Sequence, residues 1–271
     1  MKPSFATGDK IAVTSSKGNQ EKWLSAGRWY KVDQFGYEGL SEVLASSILS
    51  RSNILSDTPF TFVDYKMERM KVHGIERNGC SSKNFNGPDI SIITLSRLFG
   101  NTVGPLSTKL SELSSDKKRI EYLANKTTEI TGLTLFPQYL TLLFECDALF
   151  LNDDRHLNNI AVLQTSNGYD YCPIFDNGAG FLSNTQIYPM DISPAGLIKI
   201  AKARPFNTTF NRQIRSAASL FGSQLKLPRI SESELRTLLA EPLSFYPSRD
   251  QGLIADRVVS TFLTRQKHCN C

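Results

Sequence analysis

Apolar residues alternate with polar ones in four short segments of the first 80 residues, and this two-residue period is typical of β-strands. The segments are residues 10–15, 28–32, 59–65 and 69–75. Residues 37–51 differ, because their apolar positions recur at the helical period of 3.6. These positions are Leu40, Val43, Leu44, Ile48 and Leu49. We therefore predict a small antiparallel sheet with one helix in this part of the chain.

After about residue 90 the apolar positions follow the helical period almost throughout. Helices are predicted at residues 90–98, 105–113, 116–131, 136–150, 231–239 and 250–265. The exception is a short hairpin, in which strands at residues 160–163 and 169–174 flank the turn residues Asn167 and Gly168. The predicted fold class is α+β with two lobes, a β-rich N-lobe at residues 1–90 and a helical C-lobe at residues 91–271. A hinge near residues 64–68 would join them.

The composition is that of a globular protein, with 40% hydrophobic and 21% charged residues. The sequence has no run of 18 apolar residues and no apolar core of a signal peptide, so we expect a cytoplasmic protein with no membrane partner. The five cysteines are odd in number and irregularly spaced, which excludes a disulfide framework. The net charge of +5 is spread along the chain, so we expect no direct contact with nucleic acid.

The most informative segment is residues 151–182, where Asp154, His156 and Asn159 share one loop and Asp176 follows 17 residues after Asn159. In kinases an Asp orients and deprotonates the attacking hydroxyl, while an Asn and a second Asp hold Mg²⁺ on the phosphates of ATP. The loop alone would also suit a polar turn that ends a helix. The second Asp, at hairpin distance, favours Asp154 as base and Asn159 and Asp176 as metal ligands. We expect His156 to brace the loop and Asp153 to point away from the cleft.

This segment resembles the HipA-like serine/threonine kinases of bacterial toxin–antitoxin systems. Their motif Asn-x-Asp-x-His-x-x-Asn falls on Asn152, Asp154, His156 and Asn159, and their second Asp falls on Asp176. The Asp-Arg-His core is also similar to phosphoinositide kinases. HipA carries a further N-terminal subdomain without a counterpart here, so the chain looks more like the short HipT-like toxin kinases, in which that subdomain is a separate protein. The resemblance implies a two-lobed protein-kinase-like fold.

Residues 15–22, Ser-Ser-Lys-Gly-Asn-Gln-Glu-Lys, resemble the phosphate-loop motif Ser-x-x-Gly-x-Gln-Glu-Lys of the HipA-like kinases and distinguish the chain from lipid kinases. Gly18 would let the backbone approach a phosphate, and the resemblance implies that Gln20 and Lys22 lie at the nucleotide. A hairpin loop with a tight turn is the structural alternative. In this family a serine of the loop is autophosphorylated, which expels the loop. Ser15 occupies the matching position, and Ser16 is its neighbour.

Lys31 lies in the predicted strand that follows this loop. It is the candidate for the catalytic lysine that contacts the α- and β-phosphates, and an exposed strand lysine is the alternative. An ion-pair partner is expected on the following helix, where Glu38 and Glu42 lie one turn apart. The family places this Glu seven residues before an Ala, which here is Ala45, so the resemblance favours Glu38.

Backbone groups of the hinge are expected to bind adenine. The predicted segment is residues 63–66, with Val63 and Tyr65 close to the base. Residues 80–85 are predicted to be a mobile loop without a role in binding.

Together these residues predict an ATP- and Mg²⁺-dependent serine/threonine protein kinase of the HipA-like type, a toxin or effector that autophosphorylates in its phosphate loop. Two alternatives stay open, a phosphoinositide-type lipid kinase and a non-catalytic nucleotide-binding module. The resemblance implies a protein substrate, for which translation factors such as aminoacyl-tRNA synthetases are candidates, and an antitoxin partner. No residue of the sequence specifies the substrate.

Overall fold

Five strands form the larger sheet of the structure, a computed structural model that describes residues 4–5, 20–87, 89–102 and 106–269. The strands are β1 (Ser4–Phe5), β2 (Lys22–Ser25), β3 (Arg28–Val32), β4 (Tyr65–Val72) and β5 (Ile75–Lys83). Their order in the sheet is β1-β4-β5-β3-β2. β1 is parallel to β4, and the other neighbours are antiparallel. The sheet is therefore built mainly from two hairpins.

Two tight turns close these hairpins. Ala26 and Gly27 join β2 to β3, His73 and Gly74 join β4 to β5, and all four residues have positive φ. Two consecutive residues with positive φ form a turn whose twist matches that of an antiparallel hairpin. The turns therefore set the strand registers, including that of β3, which carries Lys31.

Helix α1 (Glu38–Leu49) packs on this sheet at a point where both partners are glycine. A Cβ on Gly39 would lie 2.7 Å from the carbonyl carbon of Gly79, and a Cβ on Gly79 would lie 2.0 Å from the carbonyl oxygen of Lys31. No side chain fits at such distances, so the close approach of α1 to β5 requires glycine at position 39, and the contacts of β5 with Lys31 and Met70 require glycine at position 79. Asp33 fixes the same end of the helix, because its Oδ1 accepts a hydrogen bond from the Gly39 N–H at 2.6 Å.

The rest of the described chain is mainly helical and surrounds a three-stranded sheet. The helices are α2 (Ile54–Asp57), α3 (Leu95–Thr102), α4 (Leu106–Glu112), α5 (Asp116–Thr131), α6 (Phe136–Phe150), α7 (Pro194–Ile200), α8 (Phe210–Phe221), α9 (Glu232–Leu243) and α10 (Ser248–Gln266). The sheet contains β6 (Ser91–Thr94), β7 (Ala161–Thr165) and β8 (Gly168–Tyr171), in that order. Within the described ranges, no helix combines the length and the apolar character that crossing a bilayer requires.

Helix α6 is the centre of this helical part, because 13 of its 15 residues are buried. α5, α8 and α10 all pack against it. An amphipathic surface helix would bury only one face, so α6 is a core helix. Its C-terminus is a rigid support for the loop that follows.

Most of the predicted elements are confirmed, and α5 and α6 have the predicted bounds. The predicted strand at residues 59–65 is wrong, because this segment makes only an isolated bridge from Phe62 to Ile174 before β4 begins. The predicted helix at residues 90–98 is wrong in its first half, which pairs with β7 as strand β6. The periodicity of apolar residues did not predict helices α7 and α8. The predicted strand at residues 10–15 lies outside the described residues.

The connection between the two sheets runs from the end of β5 to the start of β6, so the hinge predicted near residues 64–68 is wrong. Tyr65 begins β4, which continues through the large sheet. The prediction of a mobile loop at residues 80–85 is also wrong. Cys80, Ser81 and Ser82 belong to β5 and are buried. The hairpin turn at His73 and Gly74 is the sequence signal that would have extended β5 to this point.

Asn84 holds the connection between the sheets in place. Its backbone N–H donates to the Gly27 carbonyl at 2.9 Å, and its Oδ1 accepts from Trp29 Nε1 at 3.0 Å. The same side chain bonds both backbone groups of Asn86. The start of the hinge, at Asn84 and Asn86, is therefore tied to the β2–β3 hairpin.

The turn between α9 and α10 docks the helical part onto the five-stranded sheet. The Tyr246 hydroxyl donates to Oδ2 of Asp33 at 2.6 Å, and the Phe245 carbonyl accepts from Asn78 Nδ2 at 2.8 Å. Burial raises the pKa of Asp33 from 3.8 to about 7, against the lowering effect of the hydrogen bond from Tyr246. The folded chain therefore binds a proton on Asp33 more tightly than the unfolded chain does.

This shift makes the free energy of unfolding depend on pH in a way that Asp33→Asn should remove. Because the pKa of the folded state is the higher one, the Asp33 carboxyl destabilises the fold progressively as the pH rises from about 4 to about 7. Relative to the wild type, Asp33→Asn should gain about 2–3 kcal/mol of stability between pH 5 and pH 8 in urea unfolding. Asp191→Asn, at an exposed position, is the control. A stability difference that is independent of pH would contradict the shift.

Candidate active site

The loop that carries Asp154 begins where α6 ends. Leu151 has a φ of 57°, and this left-handed conformation ends the helix. The His156 N–H then donates to the Asp154 carbonyl at 2.7 Å, and the Asn159 N–H donates to the His156 carbonyl at 2.8 Å. Asn159 Nδ2 donates to the Asp154 carbonyl at 2.9 Å. These bonds hold the loop in one compact shape and leave the Asp154 side chain 58% exposed to the cleft.

Arg155 organises this loop from its buried side. Its guanidinium contacts the carboxylate of Asp147 on α6, with N–O distances of 3.0–3.1 Å. It also donates to the carbonyls of Asn159 and Phe175 and to Oδ1 of Asn177. Burial alone would lower the pKa of Arg155, but Asp147 raises it above its ordinary value. One side chain, to which the sequence analysis gave no role, therefore connects α6, the Asp154 loop and the segment around Asp176.

Asp176 has an unusual backbone conformation that aims its side chain at Lys31. Its φ is 63°, a region that Asp tolerates better than most residues. Its carbonyl accepts a hydrogen bond from Asn152 Nδ2 at 3.2 Å, and Nδ2 also donates to Asp147. The Asp176 carboxylate lies 2.7 Å from Lys31 Nζ. The hydrogen bond to its backbone carbonyl thus helps to hold the Asp176 carboxylate beside Lys31.

The carboxylate partner of Lys31 on helix α1 is Glu42, so the expected pairing with Glu38 is wrong. Lys31 Nζ lies 2.6 Å from Oε1 of Glu42. Glu38 instead accepts hydrogen bonds from the N–H groups of Phe35 and Gly36, at 2.7 and 3.1 Å. The reason is position, because Glu38 is the first residue of α1 and turns back to the preceding loop. Glu42, one turn further along, reaches the strand.

The charges of this cluster stabilise one another. Burial alone would lower the pKa of Lys31, but Asp176 and Glu42 raise it well above its ordinary value. At Asp176 burial opposes ionisation, and Lys31 nevertheless lowers the pKa, so the carboxylate is ionised. The pKa of Asp154 is raised by the partial loss of solvent around its half-exposed carboxylate and by the nearby charge of Asp176, against the effect of His156. A raised pKa suits a carboxylate that accepts a proton during a reaction.

Two neighbouring cavities meet at this cluster. The larger cavity has a volume of about 860 Å³ and lies between the hinge and β6, whereas the smaller one, of about 300 Å³, contains Asp154. Four residues line both cavities: Lys22, Lys31, Asn159 and Asp176. These four mark the junction between the two spaces.

The oxygen atoms at the junction fit a magnesium ion. Asn159 uses its Nδ2 to hold the Asp154 carbonyl, so its Oδ1 is the atom that remains for a ligand. Asp176 contributes an ionised carboxylate at the same junction. Within the described residues, no group of three or more His, Cys, Asp or Glu side chains could hold a metal alone. A site of this kind suits Mg²⁺ bound partly through the phosphates of a substrate.

The other predicted site residues divide into three groups. Ser15, Ser16 and Gly18 lie outside the described residues. Gln20 lines the smaller cavity, and Tyr65 lines the larger one with its ring centre 5.3 Å from Lys31 Nζ. The predictions for the other two residues are wrong. Val63 is buried away from both cavities, and Asp153 faces the cleft.

The two corrections have distinct physical reasons. Val63 donates its backbone N–H to the Ile174 carbonyl at 2.9 Å, a contact that turns the segment into the protein interior. Asp153 was expected to point away because neighbouring residues alternate in an extended loop. The loop is compact instead, and the Tyr188 hydroxyl holds the Asp153 carboxylate at the wall of the smaller cavity. Burial raises the pKa of Asp153 to about 6.

Two solved structures are similar to the chain over most of its length. The Helicobacter pylori proinflammatory kinase CtkA matches with a TM-score of 0.59 and 14% identity, over 93% of this chain and 88% of its own. HipA of Shewanella oneidensis MR-1, solved in a toxin–antitoxin complex with HipB and operator DNA, matches with a TM-score of 0.49 and 15% identity. This second match covers 96% of this chain and 65% of that one. No protein-family model matches the chain, and no protein of curated function matches its sequence.

The similarity to CtkA shows that the chain has a kinase fold. The prediction of a two-lobed α+β kinase-like fold is therefore confirmed. The recognition of a kinase from the sequence motifs is confirmed at the level of the fold. At 14% identity the similarity establishes how the chain folds, and its activity has to be argued from the site.

Glu42→Gln tests the ion pair at the junction. Without the Glu42 carboxylate, Lys31 would pair with Asp176 alone, which competes with the binding of phosphate and metal. Binding of a fluorescent ATP analogue with Mg²⁺ should weaken about 10-fold, the scale of one charge-assisted hydrogen bond. Glu38→Gln should weaken binding less, and Glu76→Gln, at an exposed position of β5, is the control. A larger effect from Glu38→Gln would contradict the assignment.

Proposed function

We propose that the protein is an ATP- and Mg²⁺-dependent serine/threonine protein kinase of the HipA-like type. The observation that carries the proposal is the convergence of Lys31, Asn159 and Asp176 at the junction of two cavities, with Asp154 in the smaller one. Phosphoryl transfer needs cations and metal ligands around the phosphates and a carboxylate at the attacking hydroxyl. The described site brings a lysine, two oxygen ligands and a carboxylate together around one junction, which supports the proposal.

The larger cavity suits the nucleoside. Its wall includes the apolar side chains of Trp29, Phe85, Ile90, Ile92 and Phe175. Flat apolar surfaces of this kind accept a purine ring. The hinge follows β5 along this wall, where backbone groups can contact the edge of the base. The phosphates would then extend to Lys22 and Lys31 at the junction.

The smaller cavity suits the acceptor hydroxyl of the substrate. Asp154 would accept the hydroxyl proton while the oxygen forms a bond to the γ-phosphorus and the bond from that phosphorus to ADP breaks. Asn159 and Asp176 would hold Mg²⁺, which when bound neutralises charge on the phosphates. Lys31, oriented by Glu42, would position the phosphates that do not react. The compact loop keeps the base and the metal ligands at fixed separation, a requirement for efficient transfer.

The resemblance to HipA-like kinases adds two finer proposals. It supports a role as a toxin or effector with a protein substrate, of which an aminoacyl-tRNA synthetase is one candidate. It also supports an antitoxin protein as a partner. In S. oneidensis, HipA has been solved together with HipB and operator DNA.

Asp154→Asn and Asp176→Asn test the proposed chemistry. Each should lower phosphate transfer from labelled ATP at least about 100-fold, because general-base and electrostatic contributions are of that scale. Only Asp176→Asn should also weaken Mg²⁺-ATP binding. The assay uses mixed serine and threonine peptides, with phosphatidylinositol vesicles as a second acceptor, and Asp191→Asn as the matched control. Labelled lipid without labelled peptide would contradict a protein kinase, and full activity of Asp176→Asn would contradict the metal assignment.

Autophosphorylation at Ser15 or Ser16 is a separate prediction. A phosphoserine carries nearly two negative charges and would compete with ATP for Lys31 and the loop that resembles a phosphate loop. Protein produced with ATP should therefore gain one phosphate, and intact-mass analysis with peptide mapping should place it at Ser15 or Ser16. Asp154→Asn protein should carry none, because the modification depends on the protein's own activity. An active but unmodified wild type would show that the protein lacks this form of self-inhibition.

A further inference from the structure

The smaller cavity contains residues that the proposed chemistry does not use. Four of its lining residues belong to the junction with the larger cavity, and Asp154 and His156 belong to the loop. On the far wall lie Asn184, Ile187 and Arg204, which are absent from the lining of the larger cavity. If the nucleoside occupies the larger cavity, this far wall faces the acceptor molecule.

Arg204 is the cation of this wall. Its side chain makes no hydrogen bond or ion pair with any residue of the described ranges, and the residue is exposed. Burial raises the pKa of both Asp153 and Asp154, and the charge of Arg204 opposes this rise at each carboxyl, so the guanidinium lies near both groups. An unpaired guanidinium beside a reaction centre is suited to a carboxylate or a phosphate of the incoming molecule.

The fold holds Arg204 in a defined position. It belongs to the turn between α7 and α8, which is closed by the paired backbone groups of Ala203 and Thr208 at 2.7 and 3.2 Å. Its own carbonyl accepts a hydrogen bond from Gln213 Nε2 at 2.9 Å. A side chain on a supported turn loses less freedom on binding than one on a loose loop.

The surroundings of Arg204 are basic along the sequence. Residues 192–231 contain seven Lys and Arg residues and no Asp or Glu. Lys199 and Lys202 precede Arg204, and both are exposed. Arg212 and Lys226 of this stretch pair with Asp116 and Asp57, whereas Lys199 and Lys202 make no ion pair within the described ranges. Exposed cations of this kind attract partners of opposite charge and accelerate their association.

An apolar contact lies beside the cation. Ile187 is 60% exposed and lines the same cavity as Arg204. The segment that follows Ile187 is held in place by Arg257 of α10, which donates to the carbonyls of Tyr188 and Pro189. A fixed apolar side chain next to a free guanidinium recognises a segment with both an acidic and an apolar residue.

From these observations we propose that Arg204 determines acceptor specificity and selects a protein segment in which an acidic residue flanks the phosphorylated serine or threonine. The proposal rests on the proposed kinase function and names the class of its substrate. Ile187 makes the neighbouring apolar contact. Lys199 and Lys202 extend the attraction to further acidic residues.

The test measures binding rather than transfer, so that it does not depend on activity. Fluorescent peptides with a central serine and either Glu or Lys at the flanking positions are titrated into the full chain with a non-hydrolysable ATP analogue and Mg²⁺. The wild type should prefer the Glu peptides about 10-fold, the scale of one charge-assisted contact. Arg204→Ala should lose the preference, and Arg204→Glu should reverse it toward the Lys peptides.

Arg229→Glu is the matched control, because Arg229 is an exposed residue of the same basic stretch and lines neither cavity. It should keep the preference of the wild type. Equal binding of both peptide sets, or binding of neither, would overturn the proposal. So would weaker binding of the ATP analogue in Arg204→Ala, because the side chain would then serve the nucleotide phosphates.

A short DNA duplex is titrated in parallel. Arg204-dependent binding of DNA without binding of the Glu peptides would assign the basic surface to nucleic acid and overturn the proposal. Arg204-dependent binding of Glu peptides by a protein that never transfers phosphate would contradict the kinase function while leaving the recognition of acidic segments in place.

Discussion

The buried contact between Asp147 and Arg155 is the interaction on which the site depends. Both side chains are almost fully excluded from water, with exposures of 1% and 0%. Breaking such a pair by removing one partner typically costs about 3–5 kcal/mol, since the other charge is left buried and unpaired. The geometry explains what the pair contributes here. The guanidinium has enough donors to bind the carboxylate and three further acceptors, and each of those acceptors belongs to a segment that carries catalytic candidates.

The second constraint is the position of helix α1. Glycine at position 39 lets the backbone of α1 lie close to β5, and Glu42, one turn further along this helix, lies 2.6 Å from Lys31. The other oxygen of Glu42 accepts from the Asn177 N–H at 2.8 Å. One carboxylate therefore connects the sheet to the segment that follows Asp176. The close approach of α1 to the sheet at Gly39 therefore helps to position this carboxylate.

The sequence predicts the helices and the loop chemistry well where the signal is local. α5 follows the helical period over 16 residues, α6 is a 15-residue segment rich in apolar residues, and the Asp154 loop lies where this buried helix ends. The prediction of the hinge is wrong because the position of the hinge depends on the pairing of β4 with β5. Whether residues 65–72 end a lobe or continue through a hairpin depends on β5, whose polar residues give little strand signal.

The site residues also divide into those that a local sequence motif predicts and those that depend on the folded structure. Asp154, Asn159 and Asp176 line the same cavity, as their spacing in the motif indicates. The choice between Glu38 and Glu42 needed the three-dimensional distance between helix and strand. Arg155 stands inside the motif, and nothing in its neighbours along the chain shows that it is buried. Arg204 lies about 50 residues from Asp154 in the sequence, so only the folded chain brings the two together.

The contact between Tyr246 and Asp33 has a mechanical consequence. Asp33 also holds the first turn of α1 through the Gly39 N–H, and Glu42 lies one turn further along the same helix. The turn between α9 and α10 is therefore connected through Asp33 and helix α1 to the ion pair between Glu42 and Lys31. A displacement of that remote turn would therefore act through Asp33 on the helix that carries Glu42, without any chemical change in the residues that line the two cavities.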